Sequence, residues 1–392
     1  MISIAKLGGA GQASSYYDKA DYYTKGQEKA DISSKFSGEM AKDLKLEGAI
    51  DKKEFTKLLN GITPDGQQLG TTRGGKNEHT PGWDLTFSAP KSLSILALVG
   101  NDKALIKAHQ ASVDSTLKYL EKNILKGRIH ASGQTIPVDL KKALFAQFTH
   151  TTSRKLDPQL HTHSVLLNMG VDKFGNTRSI DSRAIYDNSM LLGQIYRNEL
   201  ARHAKELGYN VVWDAKKGLF EIGGVDEKLL KNFSKRSEEI RQIASEKGVD
   251  SAKDLEKITL ATRENKKNIS GDEVTNSWDK QVTELNLDPS KLVDSAKEHS
   301  KKYENQNAKR NMFGGKFSFK KESIDEKAMF GVQKAVEHLS YYDSAFKEKD
   351  LLKEVLLFTR EHVGIEKITE SLDKLKKEGL VIESNSHEGM LT

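Results

Sequence analysis

Two apolar segments separated by a short polar loop constrain the fold of this chain more than any other feature. Residues 144–150 and 160–168 are short runs dominated by apolar residues, the length and character of buried strands. The loop between them contains Asp157-Pro158, a pair typical of turns. We therefore expect two neighbouring strands of one sheet, joined through this turn.

Helical and strand patterns alternate around this strand pair. Residues 83–88 alternate apolar and polar side chains, as a half-buried strand does, and residues 89–91 end the pattern. A helix beginning at Asn101 or Asp102 is predicted by apolar side chains at helical spacing; they are Ile106, Val113, Leu117, Leu120 and Ile124. A second helix is expected over 189–207, followed by a hairpin over 209–222. The pattern as a whole predicts an α+β fold.

The composition changes after residue 226. Residues 226–310 are rich in Lys, Glu, Asp and Ser, which predicts surface helices. The segment 301–324, with Gly314-Gly315 inside it, is our predicted linker. Residues 325–392 again show helical periodicity and predict a small helical or winged unit. We therefore divide the chain into a main domain over 1–300 and a terminal unit over 325–392.

Composition narrows the possible chemistry and location. The 392 residues include no cysteine, so thiolate metal sites and disulfides are excluded and any metal must bind His, Asp or Glu. No apolar run reaches the roughly 18 residues that a membrane-spanning helix needs, and the N-terminus does not resemble a signal peptide. We expect a cytoplasmic protein without membrane insertion. A net charge of +6 weakly favours a polyanionic partner.

Three histidines give the strongest chemical signal. His161 and His163 are two residues apart, so both side chains project from the same face of a strand. His150 lies beside them if the two predicted strands pair. Three imidazoles converging from two strands would bind a metal ion and leave positions open for substrate oxygens. Ordinary core or surface histidines remain the alternative.

Two tyrosine pairs stand near the N-terminus: Tyr16, Tyr17, Tyr22 and Tyr23. Their neighbours are small, polar or charged, which is unusual for a core helix, although a packing face is an alternative interpretation. A phenol close to a metal ion is a good nucleophile for phosphorus, because the metal stabilises the developing charge. The tyrosines and histidines together predict a metal-dependent nickase that keeps the energy of the cut bond in a phosphotyrosine.

Several motifs resemble one family. They are Ser3-Ile4-Ala5, the tyrosine pairs, the segments 82–92 and 152–154, and Gln159-Leu160-His161-Thr162-His163. In order and spacing they are similar to the relaxase domain of the MOBF, or TraI/TrwC-like, conjugative relaxases, which belong to the HUH endonucleases. The resemblance covers roughly residues 1–300 and becomes thinner beyond them.

The resemblance implies a fold and a reaction. The fold is an antiparallel sheet forming a palm flanked by helices, with mobile helical fingers over about 226–300. The first tyrosine, Tyr16, attacks the scissile phosphate at an origin of transfer, leaving a 5′-phosphotyrosine and a free 3′-hydroxyl. Tyr22 or Tyr23 serves a later strand-transfer step. Asp84 either accepts the tyrosine proton or orients a metal-bound histidine.

The resemblance also implies partners and a cofactor. Mg²⁺ or Mn²⁺ is the expected ion, although three imidazoles also suit other transition metals. Single-stranded DNA at the origin of transfer, accessory relaxosome proteins and a type IV secretion and coupling system are the expected partners. Transfer to the recipient cell attached to the DNA is a further expectation.

The sequence departs from the family pattern in three ways. Thr162 stands where a hydrophobic residue separates the paired histidines in most HUH proteins, and the tyrosine pairs are one residue closer than usual, which leaves the choice between Tyr22 and Tyr23 open. No phosphate-binding loop of the helicase type is present, although family members usually continue into a helicase. We favour a fragment that ends just inside that region over a stand-alone relaxase.

Basic residues in three places are candidates for DNA contacts. They are Arg73 and Lys76 in a flexible loop, Lys91 and Arg154 close to the predicted site, and Arg263 and Lys266 in the fingers. A solvated surface is the alternative for the loop residues and for the fingers residues, and Arg154 could instead brace the strand pair. Tyr209 and Trp213 are candidates for base stacking. A rolling-circle replication initiator and a non-catalytic DNA- or metal-binding protein remain competing functions.

Overall fold

The computed structural model describes most of the chain, and all structural statements below concern that part. The described residues are 2–10, 34–46, 48–74, 76–214, 217–262, 269–311, 322–384 and 389–392. Among the helices of these segments, none combines the length and apolar character needed to cross a lipid bilayer.

The described strands are short except for two long neighbours, β7 and β8. In chain order they are β1 (Ile2–Lys6), β2 (Lys35–Ser37), β3 (Thr71–Arg73), β4 (Lys76–Glu78), β5 (Gly82–Ser88), β6 (Lys126–Ala131), β7 (Gln134–Thr152), β8 (Pro158–Asp172), β9 (Thr177–Ile180), β10 (Val211–Asp214), β11 (Leu219–Ile222), β12 (Phe346–Lys347) and β13 (Met390–Leu391).

The described helices are concentrated in the second half of the chain. They are α1 (Glu39–Asp43), α2 (Lys52–Leu59), α3 (Lys91–Leu98), α4 (Lys103–Asn123), α5 (Ser182–Asp187), α6 (Ser189–Glu206), α7 (Glu227–Asn232), α8 (Lys235–Glu246), α9 (Ala252–Ala261), α10 (Gly271–Glu284), α11 (Leu292–Asn311), α12 (Ile324–Tyr342), α13 (Glu348–Thr359) and α14 (Ile365–Lys377).

One antiparallel sheet forms the centre of the fold. In the described part of the chain it has seven strands in the order β1-β5-β8-β9-β6-β7-β2, and β8 also pairs directly with β7. The predicted strand pair is therefore confirmed, and both strands extend further than the apolar runs indicated. The expected α+β architecture, an antiparallel sheet flanked by helices, is also confirmed.

The two faces of the sheet bury different helices. On one face, Phe148, Val165 and Leu167 pack against α1 and α2, with the Phe55 and Phe148 rings 5.2 Å apart. On the other face, alternate residues such as Leu85 and Leu166 join the main core with α4 and α6. Because side chains alternate along a strand, the even-numbered positions 144–150 of β7 and the odd-numbered positions 161–169 of β8 share the first face.

Helix α4 begins where the sequence predicted. Asp102 is its N-cap, and its carboxylate accepts the amide of Ala104 at 2.9 Å. The predicted second helix and hairpin correspond to α6 and to β10 paired with β11.

The expected linker is helical in its first part. Helix α11 extends through Asn311, because residues 301–311 consist largely of good helix formers such as Lys, Glu, Gln and Ala. The glycine pair lies outside the described residues.

The terminal unit, α12–α14 with β12 and β13, packs against α6. Its buried side chains, such as Leu352, Val355 and Ile365, belong to the same apolar core as Leu192 and Leu200 of α6. Helix α6 therefore contacts both the sheet, at β1, and the terminal unit.

Candidate metal centre and its surroundings

The register of β7 and β8 brings the three predicted histidines together. His150 is directly opposite His161, and Phe148 is opposite His163. His150, His161 and His163 consequently share one face of the sheet, and their ring centroids are 5.2–5.3 Å apart. One ring nitrogen from each lies within 4.8 Å of the others. The spacing suits three ligands around a single ion.

Hydrogen bonds at Nδ1 orient two of these rings. His163 Nδ1 is 2.7 Å from Asp84 Oδ2, and His161 Nδ1 is 2.9 Å from the carbonyl oxygen of Gln159. A carbonyl oxygen only accepts, so His161 carries its proton on Nδ1 and keeps the Nε2 lone pair for a metal. Asp84 has the same effect on His163. The donor set therefore fits a divalent metal ion.

Asp84 reaches His163 because β5 lies beside β8. Thr86 is opposite His163, and Trp83 and Leu85 point into the main core on the far face. Asp84 is 9% exposed, and one of its oxygens also accepts the hydroxyl of Thr86 at 3.2 Å. The sequence left two roles open for this carboxylate. Its position against a ring nitrogen favours orientation of His163.

Gly82 permits the close approach of β5 to β8. Its φ is +148°, and a Cβ at this position would be 2.1 Å from the carbonyl oxygen of Leu166. A larger residue would have to displace the backbone of β8. The glycine two positions before Asp84 therefore helps to place that carboxylate beside the histidines.

His109 and Tyr196, which the sequence did not indicate as site residues, lie behind the histidines. His109 of α4 is fully buried, with Tyr196 Oη 2.8 Å from its Nδ1 and Thr162 Oγ1 2.8 Å from its Nε2. Thr162 Oγ1 is also 2.9 Å from Thr149 Oγ1. The available signal was a histidine three positions after Ile106, on the apolar stripe of a helix. Such a histidine needs buried partners.

Comparison with known proteins assigns the family. The TrwC relaxase family model matches residues 10–285. The chain belongs to the TrwC relaxase family. The chain is 36% identical over 307 residues to the multifunctional conjugation protein TraI of Escherichia coli K12, a match covering 76% of this chain and 17% of TraI. It thus spans only about a sixth of the length of that relative.

Solved structures of TrwC share the fold of this chain. A copper-bound complex of the conjugative relaxase TrwC with oriT DNA has a TM-score of 0.66 and 34% identity, covering 74% of this chain and 100% of that one. TrwC with a 27-mer DNA comprising the recognition hairpin and the cleavage site has a TM-score of 0.64 and 32% identity, with the same coverage.

Lys91 and Arg154 lie at the turn between β7 and β8. Lys91, the first residue of α3, donates to the carbonyl oxygen of Pro158 at 2.9 Å. Burial lowers the pKa of its amine to about 8, against the opposing effect of Asp157 and Glu221. Arg154 is part of the turn itself and is partly exposed.

Helices of the predicted fingers contact the same turn. Trp278 of α10 donates its indole N–H to the carbonyl oxygen of Leu156 at 2.7 Å, and the backbone N–H of Lys235 donates to Asp157 at 3.1 Å. The turn next to the histidines is therefore held from the fingers region as well as from α3.

The other predicted contact residues have different outcomes. Arg73 and Lys76 belong to the two-stranded β3–β4 hairpin, so the expected flexible loop is a paired structure there. Tyr209 is 1% exposed, and its hydroxyl donates to the carboxylate of Asp102 at 2.6 Å. The expectation that Tyr209 stacks on a base is therefore wrong, because its ring is buried. The four tyrosines of the two pairs, together with Arg263 and Lys266, lie outside the described residues.

Proposed function

We propose that this chain is a conjugative relaxase that nicks one DNA strand at an origin of transfer. The observation that carries the proposal is the cluster of His150, His161 and His163, braced by Asp84, in a chain of this family. Relatives of the same fold are TrwC relaxases in complex with oriT DNA. Site-specific cutting of single-stranded transfer-origin DNA is the function that unites these facts.

The proposed reaction is a transesterification by Tyr16. A bond forms between the phenolic oxygen and phosphorus, and the bond from phosphorus to O3′ breaks. The electron pair leaves with O3′, which takes up a proton and becomes a free 3′-hydroxyl, while the phenolic proton passes to solvent or a nearby base. The 5′-phosphotyrosine keeps the energy of the cut bond. Attack by a 3′-hydroxyl reverses the step and rejoins a strand.

The site residues have separate tasks in this proposal. His150, His161 and His163 would hold the divalent ion, and Asp84 would keep Nε2 of His163 available to it. Such an ion, when bound, supplies Lewis-acid polarisation of a phosphate oxygen. Mg²⁺ or Mn²⁺ is the proposed functional metal. Tyr22 or Tyr23 is proposed for a later strand-transfer step, and Tyr17 beside Tyr16 belongs to the proposed catalytic set.

The cationic side chains are proposed phosphate contacts. The position of Lys91 and Arg154 at the β7–β8 turn, which leads into the strand that carries His161, supports contacts with the scissile phosphate. The proposed additional contacts are Arg73, Lys76, Arg263 and Lys266.

The wider role of the chain is also a proposal. We infer a relaxase domain over 1–300 with mobile fingers over 226–300, and a terminal unit that begins a helicase-type region. A bacterial cytoplasmic location, relaxosome proteins, a secretion and coupling system, and transfer with the DNA into the recipient follow from conjugative function.

The proposal is tested by covalent trapping. The protein is mixed with single-stranded oligonucleotides from candidate transfer origins, with and without Mg²⁺ or Mn²⁺, and resolved on a denaturing gel. We expect a metal-dependent protein–DNA band that survives SDS in wild type and is lost in Tyr16→Phe. Tyr303→Phe, which changes an exposed tyrosine of α11, is the matched control and should retain the band.

Two results would overturn parts of the proposal. A band that persists in Tyr16→Phe would move the nucleophile to Tyr17, Tyr22 or Tyr23. Tight binding of a cognate strand that never produces a covalent band would refute the nicking function itself.

A further inference from the structure

A chain of polar side chains, all buried except the partly exposed Thr149, lies on the face of the sheet opposite the three histidines. His109 is 0% exposed, and its apolar neighbours along α4 include Leu105, Ile106 and Val113. Burial lowers the pKa of this imidazole to about 3, so the ring is neutral at physiological pH. A neutral histidine has one donor and one acceptor nitrogen, and both have partners here.

The chain links two helices to both histidine-bearing strands. It runs from Tyr196 of α6 through His109 of α4 to Thr162 of β8 and Thr149 of β7, with consecutive distances of 2.8, 2.8 and 2.9 Å. Each link needs one proton. Either direction of donation along the chain satisfies every link, because hydroxyl groups and a neutral imidazole both donate and accept.

The two threonines are adjacent in sequence to the proposed metal ligands. Thr162 lies between His161 and His163, and Thr149 precedes His150. Thr149 and Thr162 are also directly opposite each other in the β7–β8 register. Because neighbouring side chains of a strand project from opposite faces, a displacement of Thr162 on one face shifts both flanking histidines on the other.

We propose that Thr162 is a positioning residue for the metal site, and that its hydroxyl, held by His109 and Thr149, fixes the separation of the three imidazoles. An apolar residue at 162 would pack in the core but leave the buried Nε2 of His109 without its partner, at a free-energy cost. The strands would then shift to relieve that cost. Ligand positions must be held within a fraction of an ångström, so a small shift is enough to weaken metal binding.

This inference rests on the proposed metal site, and its test separates the two. Metal affinity is measured by titration calorimetry with Mn²⁺ on the full chain, without DNA. Thr162→Val keeps the branched shape and removes the hydroxyl, and we expect about a tenfold loss of Mn²⁺ affinity. Thr162→Ser restores the hydroxyl and should recover most of the affinity.

Thr116→Val is the matched control. Thr116 is also fully buried, on the same helix as His109, but its hydroxyl donates only to the carbonyl oxygen of Ser112 within α4. It should lose a similar amount of stability and bind Mn²⁺ like wild type. Equal losses of affinity in Thr116→Val and Thr162→Val would show a general effect of core damage and overturn the proposal.

Tyr196→Phe tests the far end of the chain with the ring retained. We expect a smaller loss of Mn²⁺ affinity, a few-fold, because His109 loses one of its two partners. If Thr162→Val does not fold, Tyr196→Phe provides the test of the positioning role. Wild-type Mn²⁺ affinity in Tyr196→Phe would then refute the inference. If wild type itself does not bind Mn²⁺, the proposed metal site is refuted instead of the positioning role. If wild type and folded Thr162→Val bind equally, only the positioning role fails.

Discussion

At the scale of single residues, hydrogen bonds decide what each candidate side chain can do. His161 and His163 both have an acceptor at Nδ1, which leaves Nε2 for a metal. The carboxylate of Asp84 is hydrogen-bonded to Nδ1 of His163. Of the two roles that the sequence left open, proton acceptor or orienting group, this contact favours the orienting role. The two roles predict different behaviour of the same variant.

Asp84→Asn separates these roles. The substitution keeps the size of the side chain but removes the charge that strengthens its bond to His163. We expect about a tenfold weaker affinity for Mn²⁺ and a single-turnover cleavage rate that recovers at high metal concentration. Asp139→Asn, at the surface pair with Lys126, is the control and should leave both quantities unchanged. Unchanged metal affinity with cleavage lost at saturating metal would instead make Asp84 the acceptor of the tyrosine proton.

Lys91 predicts a pH dependence of stability. Burial lowers the pKa of its amine from 10.5 to about 8 in the folded protein. Between pH 8 and 10.5 the unfolded chain therefore binds more protons at this group, and its contribution to the free energy of unfolding rises with pH. Urea unfolding measures the free energy of unfolding of wild type and of Lys91→Met. The difference between the two values should not depend on pH below pH 8 and should shift in favour of wild type above pH 8. A difference independent of pH would contradict the buried amine.

At the scale of elements, helix ends connect segments that are distant in sequence. Asp102 caps α4 and also accepts the hydroxyl of the buried Tyr209, which follows α6. Lys297 of α11 is 3.6 Å from the same carboxylate. This position therefore joins two long helices of the main core and a helix of the fingers.

Asp102→Ala should be more destabilising than an ordinary cap mutation. It removes a cap worth about 1 kcal/mol and leaves a buried hydroxyl without its acceptor, so we expect a total of about 2–3 kcal/mol. Asp51→Ala is the matched control, because the exposed Asp51 only caps α2 through the amide of Glu54, and should cost about 1 kcal/mol. Urea unfolding measures the loss in free energy of unfolding for both variants. Equal losses would show that the bond to Tyr209 contributes nothing.

At the scale of the whole molecule, the terminal unit is bound to α6 by buried polar contacts as well as apolar packing. Asn198 donates to the carbonyl oxygens of Leu356 and Arg360 at 2.6 and 3.0 Å. Glu199 accepts the backbone N–H of Ile365 at the start of α14 at 2.8 Å. Contacts of this kind predict that the terminal unit and the sheet domain unfold together, although the sequence suggested separate units.

Asn198→Ala tests this coupling. It removes the side-chain donor from both carbonyl oxygens, of which that of Leu356 keeps the backbone N–H of Arg360. We expect a loss of about 1–2 kcal/mol in a single cooperative transition. The indole N–H of Trp213 donates to Glu361 across the same junction. The unfolding transition followed by the fluorescence of Trp213 should therefore coincide with the transition followed by far-ultraviolet circular dichroism. Asn123→Ala, which removes only a bond within α4, is the control and should cost less. Separate transitions in wild type would show that the terminal unit is independent.

The local features of this protein follow from its amino-acid sequence. Apolar periodicity predicted α4, α6 and the two central strands, because one buried face imposes a fixed period on a helix or strand. The spacing of His161 and His163 predicted a shared face, and the ring geometry with His150 confirms that the three lie together. The family motifs predicted the relaxase family, which the comparisons confirm.

Contacts between residues distant in sequence depend on the tertiary packing of the chain. Asp84 contacts His163, 79 positions away, and His109 contacts Thr162, 53 positions away, because strand order and helix packing bring them together. Tyr209, a stacking candidate by residue type, is buried against Asp102 instead. Periodicity records whether a side chain is buried and carries no information about its partner. Partners depend on pairings between segments far apart in sequence, which are settled when the whole core packs.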